Sequence, residues 1–156
     1  MKKFIFCCLV VLISSCKDKE ESPSADFSTE FVGDYWTNTI EGTTTAAHTW
    51  DVTAMAKNKL GIVYQKHITG TASGAPVDIT QKYALANVNA TSKDSFTIDE
   101  EVDVEQTGIA TFKQKVQGVA TKVLNTAGVP QINITLKITN STSGVSSEEY
   151  LEFKKK

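Results

Sequence analysis

The sequence contains no arginine and has few cysteines. All 16 basic residues are lysines, so the rigid fork that grips phosphate or carboxylate is missing, and recognition of a multiply charged anion is not expected. The cysteines are Cys7, Cys8 and Cys16, so the chain beyond Cys16 has neither a disulfide nor a thiol nucleophile. The formal charge is -2, and it is -4 without Lys2 and Lys3. A net negative charge gives no basic footprint for nucleic acid, so a nucleic-acid partner is not expected.

Long apolar runs are also missing, apart from one at the N-terminus. Lys2 and Lys3 precede an apolar run over residues 4–13, which has the proportions of a secretory signal. A run of roughly ten residues is too short to span a bilayer, which needs about 20. Ser14, Ser15 and Cys16 follow, where an ordinary signal would end in an Ala-x-Ala-like site.

The tetrapeptide Ile13-Ser14-Ser15-Cys16 resembles the bacterial lipobox, which has an aliphatic residue, two small residues and a cysteine. The resemblance implies that residues 1–15 are a lipoprotein signal peptide and that the sulfur of Cys16, the mature N-terminus, carries a diacylglycerol. Two or three acyl chains such as palmitate, at about 0.8 kcal/mol per buried methylene, would anchor the protein to a membrane. The alternatives are an ordinary secreted protein or a hydrophobic first strand that ends in cysteine.

The charged residues after Cys16, KDKEE at 17–21, carry a second resemblance. A lysine with acidic residues behind a lipidated cysteine is similar to the export signal of surface lipoproteins in the Bacteroidota. It implies a lipid anchor in the outer membrane and display on the cell surface. The alternative is a solvated linker. Residues 16–29 are polar, so they are predicted to be the lipidated cysteine with a flexible tether of about 20 Å reach, and the domain is predicted over 30–156.

Period-two alternation dominates the domain. Residues 131–139 are apolar at every even position and polar at every odd one, as a sheet with one wet face requires. Residues 50–54 and 60–64 are predicted to form a hairpin around 57–59. Counting further candidates gives an all-β domain of about eight strands, either a small antiparallel up-and-down barrel or a β-sandwich. Residues 108–124 fit a helical face or a strand face, and strand is favoured because valine and threonine weaken helices.

The segment FVGDYW, residues 31–36, resembles the first strand of lipocalin-like and calycin-like domains. In such domains a glycine bends the chain and an aromatic residue closes one barrel end. Trp36 stands three residues after Gly33 where the lipocalin pattern has two, so Tyr35 takes the matching position. The resemblance implies a lipocalin-like barrel of the kind found in small lipoproteins of the Bacteroidota.

Residues suited to catalysis or metal binding are sparse. His48 and Asp51 would point to opposite faces of a strand, so His48 is predicted to lie on a strand surface beside the core residue Trp50. Folding about residues 57–59 brings His48 opposite Ile68 and next to His67, but two histidines without cysteine make a poor zinc site. The acidic run at 99–105 matches no calcium loop and is predicted to be a solvated edge strand. We therefore expect no enzyme activity, no metal and no cofactor.

Aromatic residues suggest a binding role. Trp36, Trp50 and Tyr64, together with Tyr83 and Phe96, are predicted to line the mouth or interior of the barrel and to contact a small apolar ligand or a glycan. Core packing explains the same residues equally well. The leading hypothesis is a lipid-anchored surface protein that holds such a ligand. The alternative is a structural or interaction module of the cell envelope with a filled core, an exposed apolar patch and an unknown protein partner.

Overall fold

The computed structural model describes residues 25–156, which form one short 3-10 helix and eight strands. The elements are η1 (Ser28–Phe31), β1 (Gly33–Glu41), β2 (Thr44–Ala56), β3 (Lys59–Ala72), β4 (Ala75–Ser92), β5 (Ser95–Gln106), β6 (Phe112–Leu124), β7 (Pro130–Asn140) and β8 (Ser146–Lys155). Within this part of the chain, no helix is long and apolar enough to cross a membrane. The predicted signal peptide 1–15 and Cys16 lie outside the described residues.

The strands close into an up-and-down barrel in chain order. Each strand pairs antiparallel with the next one, and β8 pairs with β1. This topology confirms the predicted all-β barrel and sets aside the sandwich. The strand interpretation of residues 108–124 is also confirmed, because Val116 and Ala120 on the strand face are buried whereas Val119 on the helical face is exposed.

Gly118 lies inside β6, and the strand runs through it in register with both neighbours, β5 and β7. A Cβ atom at this position would lie 2.9 Å from the carbonyl oxygen of Thr135 and 2.9 Å from Cδ1 of Ile134. Glycine therefore permits the close approach of β6 and β7 and does not bend the strand.

The two ends of the barrel differ. The capped end carries η1 and the turns at 57–58, 93–94 and 125–129, and the free end carries the turns at 42–43, 73–74, 107–111 and 141–145. Phe31, the last residue of η1, is fully buried and meets Phe96 edge to face at 5.1 Å. An apolar side chain from the N-terminal segment thus closes the capped end.

Packing against the barrel begins before the predicted domain boundary. The backbone N–H of Phe27 donates to Oδ1 of Asn58 at 2.7 Å, and the backbone N–H of Asn58 donates to the carboxylate of Asp26 at 2.9 Å. Ser28 is buried as well. The boundary predicted at residue 30 is therefore too late, and the last residues assigned to the flexible tether over 16–29 are part of the folded unit.

The acidic run at 99–105 lies on β5, which pairs with β4 and β6, so its prediction as an edge strand is wrong. Its valines point inward, as the alternation requires, and most of its carboxylates point to solvent. Glu100 is different, because its carboxylate accepts the backbone N–H groups of Ala86 and Asn87, each at 2.9 Å, where the β4–β5 ladder is interrupted. This carboxylate satisfies backbone donors that a bulge in β4 leaves without a strand partner.

Candidate functional site

Aromatic side chains occupy the centre of the barrel. Trp50 stacks on Phe153 with ring centroids 3.9 Å apart, and Tyr64 stacks on Tyr83 at 5.0 Å. Trp50 and Tyr64 meet edge to face at 6.3 Å, and each of the four residues is at most 1% exposed. The structure thus places Trp50, Tyr64 and Tyr83 inside, as predicted, but they contact one another and fill the centre.

Trp36 lies on the outer wall, not in the interior. It follows the inward-facing Tyr35 on β1, is 40% exposed, and has the Lys154 ammonium 5.8 Å from its ring centroid. Strand alternation explains the difference, because consecutive side chains point to opposite faces of a sheet. The prediction that Trp36 lines the barrel interior or mouth is therefore wrong, and on β1 its neighbour Tyr35 faces inward instead.

His48 is buried inside the barrel, so its prediction as a surface residue is wrong. Its Nδ1 lies 2.8 Å from the hydroxyl of Tyr64, and its Nε2 lies 3.0 Å from Oγ1 of Thr39. The Thr39 hydroxyl donates its single proton to Oε1 of Glu149 at 2.9 Å. It must therefore accept from Nε2–H of His48. Burial disfavours the charged imidazolium, so Nδ1 accepts from the Tyr64 hydroxyl. This assignment makes His48 a neutral imidazole.

The hydrogen-bond chain ends at an ion pair near the free end. Lys66 Nζ donates to Oε2 of Glu149 at 2.8 Å, and both side chains are partly exposed. These groups, with Thr39, border a small recess of about 70 Å³. The series of hydrogen bonds through His48 and Thr39 thus connects the buried hydroxyl of Tyr64 to a salt bridge in contact with solvent. A recess of this size suits ordered water or a single small group better than a whole ligand.

Burial dominates the acid–base behaviour of the side chains in this hydrogen-bond network. Burial lowers the pKa of His48 to about 4, although the nearby Glu149 carboxylate opposes the shift and Lys66 adds to it. Burial alone would raise the pKa of Glu149, but the hydrogen bond and charge of Lys66 lower it on balance. Burial also raises the pKa of Tyr83 to about 12 and that of Tyr64 well above its usual value. Near neutral pH, Lys66 and Glu149 carry the charges of the network, and His48 is uncharged.

The two histidines are not brought together. His48 pairs with Lys66 rather than with Ile68, and His67 pairs with Ala47 on the outer face, where it contacts the carboxylate of Asp78 at 2.9 Å. Asp51 is exposed, on the face opposite His48, as predicted. Among residues 25–156, no group of three or more histidine, cysteine or acidic side chains is placed to hold a metal ion.

A larger cleft, of about 250 Å³, lies at the capped end. It is bordered by Glu30, Tyr35, Asp94, Lys122, Val123, Leu124, Pro130 and Lys155. Lys122 forms an ion pair with Glu30 at 2.7 Å, and Lys155 Nζ donates to the carbonyl of Val32 at 2.9 Å. The cleft therefore joins an apolar wall to two ammonium groups that keep donors free for a further partner.

Sequence reasoning missed most of these residues. Thr39, Lys66 and Glu149 occupy inward positions of their strands, where an apolar residue is the norm. Extending the alternation from Tyr64 along β3 would have marked Lys66 as an inward-facing polar residue. The same extension from Tyr35 along β1 and from Leu151 along β8 would have marked Thr39 and Glu149. The residues of the capped-end cleft gave no comparable signal, because most of them sit near strand ends or in turns that only the fold brings together.

The comparisons with known proteins add little to this geometry. No family model matches the chain, and no curated protein matches it. Among solved structures, the chain is similar to one described as "Structure of EF1p2_mFAP2b bound to DFHBI", with 13% identity over 83% of this chain and 97% of that chain and a TM-score of 0.49. This likeness is too low to support a functional inference.

Proposed function

We propose that the protein is a lipid-anchored surface protein that binds a small amphiphilic ligand in the capped-end cleft. The lipobox-like residues ending at Cys16 and the charged run behind it support the anchor and the outer-membrane location. The cleft supports the binding role. The sequence predicted a site at the mouth or in the interior of the barrel, and we assign it to the capped end because aromatic side chains occupy the centre.

The observation that carries the binding role is the composition of the cleft. Leu124, Val123 and Pro130 offer an apolar wall, and Lys155, whose ammonium group donates to a backbone carbonyl, adds positive charge. The charge of Lys122 is paired with Glu30, which borders the same cleft. Its volume of about 250 Å³ lies just below the usual range of ligand sites, roughly 300–1,000 Å³. A short acyl chain with a single anionic group matches this size and chemistry, whereas the ring of Tyr35 is only 1% exposed and lies under the Lys155 ammonium group, so a sugar has no ring face to stack on. Without arginine, a multiply charged ligand remains a poor match.

Octanoate is a suitable first probe, with methyl glucoside as the sugar control, and each can be titrated into isotopically labelled protein and followed by NMR. Leu124 is 70% exposed, so Leu124→Ser removes apolar contact area without opening the core. We expect this change to weaken octanoate binding by about tenfold. The exposed Val119 on the outer wall of the same strand provides the matched control, and Val119→Ser should leave the affinity unchanged.

The outcome that contradicts the proposal is equally clear. If octanoate does not shift the resonances of residues around the cleft, the cleft is not a site for this ligand class. Native mass spectrometry of the full chain, gently extracted from its host, then asks whether any small molecule co-purifies. Failure of this test leaves the proposed anchor untouched, because acylation of Cys16 is read separately from the mass of the intact protein.

A specific surface feature favours a second candidate, an interaction module. The β1–β8 seam pairs only Tyr35 with Lys155 and Trp36 with Lys154, whereas β1 and β2 are paired along their length. Beyond these two pairs, Ile40 on β1 is 79% exposed and Tyr150 on β8 is 57% exposed. Exposed aromatic and aliphatic side chains beside an unpaired stretch of strand are suited to a protein partner.

The interaction module predicts a dependence on Trp36 and Tyr150. A photocrosslinking residue in place of Asn38, on β1 between Trp36 and Ile40, should capture a protein on intact cells. We expect Trp36→Ala together with Tyr150→Ala to reduce that crosslink several-fold, because large aromatic residues dominate interface energies. Val119→Ala, on the outer wall of β6 and outside the β1–β8 seam, is the control. A crosslink that persists in the double variant, or none at all, would argue against this candidate.

A further inference from the structure

Positive charge is concentrated at the capped end. Counting three residues of each strand, the connecting turns, the segment from Ala25 to Val32 and Lys156 after β8, this end has seven lysines and four acidic residues. The lysines are Lys57, Lys59, Lys93, Lys122, Lys154, Lys155 and Lys156, and the acidic residues are Asp26, Glu30, Asp34 and Asp94. Two of these acids are already engaged, Glu30 with Lys122 and Asp26 with backbone N–H groups. The charge available to a partner at this end is therefore positive.

The free end of the barrel has a net negative charge. By the same count it has one lysine, Lys113, and three acidic residues, Glu41, Glu105 and Glu148. Exposed apolar residues do not distinguish the ends, because Leu124 at the capped end is matched by Val145 at the free end. Charge is thus the property that separates them, and it gives the barrel a positive and a negative end although the whole chain is acidic.

The path of the chain points to the same end. Ala25 lies at the capped end, where its carbonyl accepts from the side-chain amide of Asn58 in the β2–β3 turn. Cys16 is nine residues earlier in the sequence. Nine residues span about 30 Å at full extension and roughly 15–18 Å on average. An acyl chain on Cys16 would therefore let the lysines of the capped end come within one Debye length of the membrane surface, about 8 Å at physiological salt, where their attraction to negative charge is not screened.

We propose that the capped end is a docking surface for anionic lipid headgroups, so that the anchored barrel sits on its membrane with the free end pointing away. The partner is a lipid surface, since lysines spread over turns and strand ends match a plane of negative charge better than a single ligand. This docking rests on the proposed anchor at Cys16, which would hold the barrel near the membrane. The lysines would then orient the barrel with its capped end towards the lipid headgroups. The cleft then opens towards the lipid phase, which would supply it with amphiphilic ligands.

Fluorescence quenching can test this orientation with the full lipidated chain in vesicles that carry nitroxide-labelled headgroups. Mature protein cleaved after Ser15 would hold no cysteine except the acylated Cys16, so one added cysteine takes the fluorophore specifically. Thr126→Cys labels the capped end and Thr142→Cys labels the free end, both in exposed turns. In phosphatidylglycerol vesicles we expect strong quenching at position 126 and little at 142. In phosphatidylcholine vesicles, where the anchor alone holds the capped end near the membrane, the difference should become much smaller.

Charge reversal supplies the control. Lys57→Glu with Lys93→Glu alters the capped end without touching residues that border the cleft, and it should lower the ratio of docked to undocked protein on the order of tenfold. Lys82→Glu with Lys137→Glu makes the same change in net charge on β4 and β7, away from the capped end, and should have little effect on docking. Equal quenching at both labels, or equal behaviour in the two lipids, would overturn the docking surface. A protein mass without acyl chains would instead show that the anchor itself is wrong.

Discussion

Replacing Trp50 by alanine is expected to lower the free energy of unfolding by about 3–5 kcal/mol, the range for truncating a large buried aromatic side chain. Trp50 is 1% exposed, stacks on Phe153 at 3.9 Å and meets Tyr64 edge to face. Its indole N–H has no hydrogen-bond partner among the described residues, so the loss is one of packing alone. Urea unfolding followed by circular dichroism measures the effect.

The second tryptophan supplies the control for this measurement. Trp36 is on the outer wall, and Trp36→Ala should change the free energy of unfolding by less than about 1 kcal/mol. Since Trp50→Ala is large enough to unfold a marginal domain, Trp50→Phe keeps the test informative and should cost an intermediate amount. Equal costs for the two alanine variants would mean that the assignment of inward and outward faces is wrong. A small cost at Trp36 also shows that any loss of partner crosslinking in that variant is not due to unfolding.

The fold was predictable from local alternation, because side chains on a strand change face at every residue. The even positions of 131–139 were predicted to share one face, and Ile132, Ile134 and Leu136 are buried together. The same alternation puts Tyr35 and Trp36 on opposite faces of β1. The prediction that Trp36 faces inward was wrong because it treated all aromatic residues alike and did not apply the alternation. Whether a residue stands at an odd or an even position of its strand thus predicted its burial better than its residue type did.

The position of His48 depends on details that alternation does not contain. The predicted turn over 57–59 is a two-residue turn at 57–58, with Asn58 at a φ of +56°, and a register shift follows between Ala54 and Ala56. Together these move the partner of His48 by two residues, from Ile68 to Lys66. Register within a hairpin is set by turn length and bulges, which short sequence patterns define poorly.

The hydrogen bonds that join Tyr64, His48, Thr39 and Glu149 could not be predicted from short sequence patterns. Glu149 belongs to the last strand and Thr39 to the first, more than 100 residues apart, and only closure of the barrel brings their side chains within 2.9 Å. The capped-end cleft has the same origin, since Tyr35, Leu124 and Lys155 belong to three different strands. Sites built across a barrel closure require the topology first.

The buried histidine predicts a large dependence of stability on pH. In the folded protein the pKa of His48 is lowered to about 4, while in the unfolded chain it has its ordinary value of 6.5. Between these values the unfolded chain binds a proton that the folded protein does not, so the free energy of unfolding must fall as the pH falls. At about 1.4 kcal/mol per pKa unit, lowering the pH from 7 to 4 should remove roughly 3 kcal/mol. Urea unfolding at a series of pH values measures this loss.

Two variants assign the loss to His48. His48→Gln keeps a side-chain donor and acceptor but cannot titrate, so its unfolding free energy should be nearly flat from pH 6.5 to 4.5. His67→Gln removes the half-exposed histidine of the outer wall and should retain the slope of the original protein. Glu149 does not confuse the result, because its pKa is lowered in the fold and its stabilising effect is lost only below about pH 4.5. A slope that survives in His48→Gln would mean that protons bind elsewhere, and that the imidazole is not held neutral by the barrel.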